Sequence, residues 1–218
     1  MNLQWQKYPH NARKLFKLTI PIFISQLSAS GMGLADIVMA GLVSDDDVSA
    51  IAVSNSIYFP LFLFVLGLLN AITPTVSYLN GSNQRHLIAH QVRQGFWLVL
   101  TMSIPLILIF CNSHLILDYM HTPESFSSKS QQYLMIMAIG IVPALLAINL
   151  RCMNDGLSNP KPAMIITFFG LLLNIPLNYI FIFGKFGLPE MGAVGCGVAT
   201  AIVNWVMFLM MLLSLIHI

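Results

Sequence analysis

Six long apolar runs separated by short polar connectors constrain this chain more than any other feature of its sequence. They extend approximately over residues 15–43, 48–76, 94–111, 133–153, 162–183 and from 193 to the last residue. A helix needs about 20 mostly apolar residues to cross a bilayer. Within lipid, only helices and closed barrels satisfy every backbone polar group. Runs of this length without alternation of period two read as helices. Charged residues are 8% of the chain and hydrophobic ones 57%, where a soluble domain carries about a quarter charged residues. The expectation is an all-α integral membrane protein, a six-helix transmembrane bundle in which residues 1–218 form a single lobe.

The connectors contain turn and cap residues such as Ser44-Asp45-Asp46-Asp47, Asn80-Gly81-Ser82-Asn83, Thr122-Pro123-Glu124 and Asn159-Pro160-Lys161-Pro162. Basic residues orient the bundle. Lys7, Arg13, Lys14, Lys17, Arg85, Arg93, Arg151 and Lys161 fall on one side, and Lys129 and Lys185 on the other. The positive-inside rule makes the first side cytoplasmic and places both termini there. Arg13 and Lys14 ahead of the first run, with Ser28-Ala29-Ser30-Gly31 after its start, imitate a signal peptide. The apolar stretch continues more than ten positions past those small residues, so a retained helix is expected. The net charge of +2 is spread by topology and gives no nucleic-acid signal. Cys111, Cys152 and Cys196 have neither disulfide nor zinc-ligand spacing. His86 and His90 stand four apart without a third ligand and read as solvated residues at a helix entrance.

Asp36 is the one acid inside an apolar run; Asp45, Asp46, Asp47, Asp118, Glu124, Asp155 and Glu190 lie between runs or at their ends. An ionisable group at membrane depth is costly, and its default reading is an ion or proton site facing a protein interior. In the fifth run, Asn174 and Asn178 are four apart and share a helix face, with Pro176 between them. Their amide oxygens suit a hard cation that Asp36 would complete; interhelical hydrogen bonding is the alternative. Thr200, beyond the small-residue stretch 192–197, is a further candidate for the same pocket. Met32 is a candidate cavity residue, as are Asn55 and, with it in the second run, Ser54, Ser56 and Asn70, for which helix packing is the alternative. Pro21, Pro60, Pro74, Pro105, Pro143 and Pro176 each remove a backbone donor. Pro21 lies about four turns before Asp36 in the same helix and is the candidate bending point.

These motifs together resemble the N-terminal half of a multidrug and toxic compound extrusion (MATE) transporter of the NorM-like type, over approximately residues 9–212. The resemblance rests on Leu34-Ala35-Asp36-Ile37-Val38-Met39-Ala40-Gly41, Ala50-Ile51-Ala52-Val53, Gly156-Leu157-Ser158-Asn159-Pro160-Lys161-Pro162 and Gly192-Ala193-Val194-Gly195-Cys196-Gly197-Val198-Ala199-Thr200. It implies a cation-coupled antiporter (H⁺ or Na⁺) that exports bulky amphipathic or cationic compounds by alternating access. It implies no enzymatic activity and no cofactor beyond the coupling ion. In the family the acid matching Asp36 belongs to a proton- or sodium-linked site, with residues matching Asn174, Asn178 and Thr200 beside it. Some relatives carry an acid at the position of Asn178, so its amide here leaves the ion open. Expected partners are membrane lipid, small-molecule drugs or toxic organic cations, and a second, C-terminal lobe.

That lobe is where the chain departs from the family pattern, which has two six-helix lobes. The terminal Leu213-Ser214-Leu215-Ile216-His217-Ile218 also resembles a translated sequencing-library adapter, so an N-terminal fragment, inactive by itself, is expected. Two other readings are a half-size homodimeric transporter and a lipid-linked oligosaccharide flippase of related architecture. A flippase cavity needs positive charge for a pyrophosphate, and no Lys or Arg is expected deep in these spans. A membrane enzyme would need paired acids, a Ser/Lys or Ser/His dyad or a metal cluster at membrane depth, and the sequence offers none.

Overall fold

The structure, a computed structural model, describes residues 8–216, and side chains over residues 15–215. Lys7 of the charge count and the side chains of Arg13 and Lys14 lie outside the described residues, as do His217 and Ile218 of the terminal segment. The helices are α1 (Tyr8–Gly41), α2 (Asp45–Asn70), α3 (Ile72–Gly81), α4 (Ile88–Cys111), α5 (Ser113–Tyr119), α6 (Glu124–Gly156), α7 (Lys161–Ile182) and α8 (Ala193–Ile216), with a 3-10 turn at Arg85–Leu87. Six spans are long and apolar enough to cross a membrane, and α2 with α3 make up one of them. The protein is a multi-pass, all-α membrane protein built as a six-helix bundle.

The second span is expected as one helix and is observed as two. Pro74 has no N–H to give the carbonyl of Asn70, and its ring crowds that carbonyl. The break falls there: α2 ends at Asn70, and the Ala71 N–H turns back to the carbonyls of Leu68 and Leu69. The fourth span is longer than its apolar run, since α6 begins at Glu124, well before the run opens at 133. Its polar start is helical because it has internal partners. Ser130 Oγ donates to the Ala50 carbonyl at 3.3 Å, and Ser54 Oγ donates to the Ser130 carbonyl at 3.2 Å. The short α5 has no counterpart in the apolar pattern. His86 and His90 are exposed, as expected, and the His90 ring contacts Gln94 and Arg93.

The central helix is α6. Its most apolar stretch is 67% buried, against 17% for the first span, and it packs on α8, α2 and α4. Around it, α7 bridges α8 and α1. Small residues set these approaches: a Cβ at Gly195 would stand 2.5 Å from the Phe181 carbonyl oxygen, and one at Gly197 3.1 Å from the Tyr133 ring.

Asp47 fixes where α8 starts. It lies in the first turn of α2, reads in sequence as a connector acid, and is only 1% exposed. Its Oδ1 accepts the Ala193 backbone N–H at 2.9 Å and the Lys129 ammonium at 2.9 Å, while Ser44 Oγ donates to Oδ2. One carboxylate thus joins α2, α6 and the first residue of α8. Gly192 enters α8 at φ +53°, and a Cβ there would stand 2.5 Å from the Asp47 carboxylate; the turn needs glycine on both counts.

Candidate functional site

Because α1 packs chiefly on α7, a polar group on the inner face of α1 meets α7 side chains. Asp36, on the last-but-one turn of α1, is 7% exposed. Asn178 Nδ2 donates to its Oδ1 at 2.6 Å, and Asn174 Nδ2 donates to the same oxygen at 3.2 Å. Thr200 Oγ1, from α8, donates to Oδ2 at 3.1 Å. Asn178 Nδ2 also donates to Asn174 Oδ1 at 3.1 Å, so the amides hold each other as well as the acid. Both asparagines are fully buried. Of the four polar residues singled out for this pocket, three therefore converge from α7 and α8 on the carboxylate of the fourth, on α1.

An ionised carboxylate only accepts hydrogen bonds, with about four lone-pair positions. Three of them face donors here, an arrangement that replaces the water a buried charge would otherwise lack. Asn178 Oδ1 is buried and accepts no hydrogen bond among the described residues. The helix α7 runs unbroken through Pro176 between the two amides. Sequence reasoning missed Cys196, whose buried thiol lies beside the carboxylate one turn before Thr200. The i, i+4 spacing to Thr200 was the available signal.

Pro21 is buried within α1, which continues helically through it. Close by, Ser25 Oγ donates to the Pro21 carbonyl at 3.0 Å and Ser28 Oγ to the Ile24 carbonyl at 2.8 Å. Such back-bonding weakens and bends helices. Met32 lines an apolar cavity of about 270 Å³ together with Phe62, Met207 and Met211. Asn55 is half-buried and is not among the residues that line it. Arg151, two residues before the end of the fourth apolar run, lines this cavity and a second one beside it.

A family model described as MatE matches residues 21–180. The chain is 86% identical to the "Probable multidrug resistance protein NorM" of Haemophilus ducreyi, across 97% of this chain and 46% of that protein. It is 52% identical to the "Multidrug resistance protein MdtK" of Yersinia pestis, across 94% of this chain and 45% of that one. The chain spans about half the length of the curated relatives it matches. Among solved structures, an outward-facing multidrug resistance MATE family transporter superposes with a TM-score of 0.84 at 17% identity, over 93% of this chain and 44% of that one. The MATE transporter NorM-NG, solved in complex with a monobody, superposes with a TM-score of 0.69 at 27% identity, over 89% of this chain and 43% of that one. The superposition covers one lobe of each.

Proposed function

The chain belongs to the MatE family, and on that footing we propose that it supplies the N-terminal lobe of a cation-coupled multidrug antiporter. The chain is not an enzyme: its relatives are named as multidrug resistance proteins and transporters. The proposed cargo is bulky amphipathic or cationic compounds, exported across a bacterial inner membrane with both termini in the cytoplasm. The observation that carries this reading is the buried Asp36 carboxylate with donors from α7 and α8.

Coupling requires that the ion bind two packings of the lobe unequally. While Asp36 is charged, its acceptors tie α1 to α7 and α8. A proton on Oδ2 turns that oxygen into a donor. The Thr200 hydroxyl, able to donate or accept, then has to reverse its role or let go. The link to Oδ1 survives and the link to α8 changes, so α1 can shift relative to α8, with the weak point near Pro21 absorbing the bend. Removal of the charge also removes its desolvation cost, which favours a closed, drier arrangement.

The amide nitrogens face Oδ1 and suit the ionised carboxylate, while Oδ2, which accepts from Thr200, keeps a lone-pair position for a proton. Sodium is the second reading, favoured by the unpartnered Asn178 Oδ1: half-turns of both amides would present oxygens, the ligands a hard cation prefers. The test joins this chain to the C-terminal half of the Haemophilus ducreyi relative and measures gradient-driven ethidium efflux. Efflux lost in Asp36→Asn with normal membrane insertion supports the proposal; unchanged efflux rules it out. Cross-linking of the chain alone tests the half-size homodimer.

A further inference from the structure

Away from Asp36, and sharing no residue with its cluster, a cavity of about 460 Å³ lies between α1, α2, α3 and α6 near the C-terminal end of α6. Its wall includes Ser25, Gln26, Asn70, Thr73, Arg151 and Asp155. Gln26, Leu66 and Arg151 also line the 270 Å³ apolar cavity of Met32, Phe62, Met207 and Met211. The two form one amphipathic recess, with a polar end and an apolar end that meet at Arg151.

The guanidinium at that junction is under-used. One of its amino groups donates to Gln26 Oε1 at 3.1 Å. Its Nε is buried and has no partner among the described residues. Asp155, one turn on in the same helix, is the obvious counter-charge, yet the ion pair found among the described residues is Lys129 with Asp47 alone. A guanidinium presents five donors in a rigid fork suited to carboxylate or phosphate oxygens. At the edge of an apolar cavity, a charge-assisted pair of this kind is also less screened than at an open surface.

We propose that Arg151 anchors an anion-binding subsite, taking the carboxylate or phosphate group of an amphipathic compound whose apolar part lies among Met32, Phe62, Met207 and Met211. Asp155 sets the charge limit, because a second negative charge on the ligand would face it. The flexible thioethers of three methionines suit apolar bodies of varied shape. This subsite stands whether or not Asp36 couples an ion, and it admits compounds that a purely cation-selective cavity would refuse. The same chemistry belongs to a free amphiphile and to an anionic lipid headgroup.

The test is a fluorescence titration of the purified chain in phosphatidylcholine nanodiscs with dansylundecanoate, against empty nanodiscs. The expected result is saturable binding that weakens about tenfold or more in Arg151→Gln, the scale of a lost charge-assisted bond. Arg151→Lys is expected between the two, and Asp155→Asn to bind as well or better. The methyl ester of the probe, tested on the unaltered chain, is expected to bind at least about tenfold more weakly, which removes dependence on any variant's folding. Equal binding of acid and ester, or equal binding by Arg151→Gln, overturns the proposal. So does loss of acid binding once the chain is joined to a C-terminal lobe, since the guanidinium would then be committed to that lobe. Nanodiscs doped with phosphatidylglycerol separate the sources: competition assigns the subsite to a lipid headgroup, and its absence assigns it to the free amphiphile.

Discussion

Two carboxylates, one near the end of α1 and one at the start of α2, do different work for the same electrostatic reason. Each is buried, and each is surrounded by groups that donate to it. Asp47 meets a permanent cation and a backbone N–H, partners that hold it in one state. Asp36 meets only neutral donors, so no fixed charge commits it to remaining ionised. Thr200 is the one donor of the three that can reverse its role at the same atom, without a half-turn of its side chain. Thr200→Val keeps the shape and removes the hydroxyl. It should lower ion-coupled efflux in a two-lobe protein while changing thermal stability by about 1 kcal/mol or less, and Thr200→Ser should restore efflux. A Val variant with full efflux would remove Thr200 from the coupling path. Asp36, Asn174 and Asn178 were legible in the sequence because a charge and a pair of amides stand out against apolar runs, whereas Thr200 was placed beside them by the family resemblance. Asp47 was not, because its meaning lies in Lys129 and Ala193, partners 82 and 146 positions away. Arg151 was read as a topological charge, since no spacing rule reveals a cavity between four helices.

At the scale of elements, proline decides where helices break and where they only weaken. Pro74 divides the second span, whereas α1 continues through Pro21 with Ser25 and Ser28 bonded back along the chain. Pro74→Ala should restore the bond to the Asn70 carbonyl and join α2 to α3. Hydrogen exchange checks this: the new amide at position 74 should be protected, and rapid exchange there would contradict the assignment of the break. The start of α8 depends on Asp47. Asp47→Ala leaves the buried Ala193 N–H without its acceptor and should destabilise the lobe by about 1–3 kcal/mol. Lys129→Met should cost less than Asp47→Ala, about 1 kcal/mol, because the Lys129 side chain is 40% exposed and Asp47 keeps the Ala193 N–H and Ser44 hydroxyl as donors. Thermal melts of the two variants separate these effects. Helix existence was legible from apolar length alone. The polar start of α6 and the short α5 were not, because hydropathy reports lipid contact and both are shaped by protein contact.

Across the whole molecule, α6 is the most buried span, while α1 packs mainly on α7. The helix carrying Asp36 is the least buried of the six spans, and the proposed coupling requires it to shift against its neighbours. Orientation belongs to this scale too. A cysteine at Ser82 should react with a membrane-impermeant maleimide only from the cytoplasmic side, and one at Glu190 only from outside; the reverse pattern would invert the topology. If Asp36 couples the ion as proposed, drug and ion act on one equilibrium between two packings of the lobe. By linkage, a drug that favours one packing must change the protein's hold on the ion. The most direct test adds ethidium to the two-lobe chimera, purified in weakly buffered solution, and records proton and sodium release. The unaltered protein should release one of these ions and Asp36→Asn neither; equal release by the two proteins would rule out Asp36 as the coupling group.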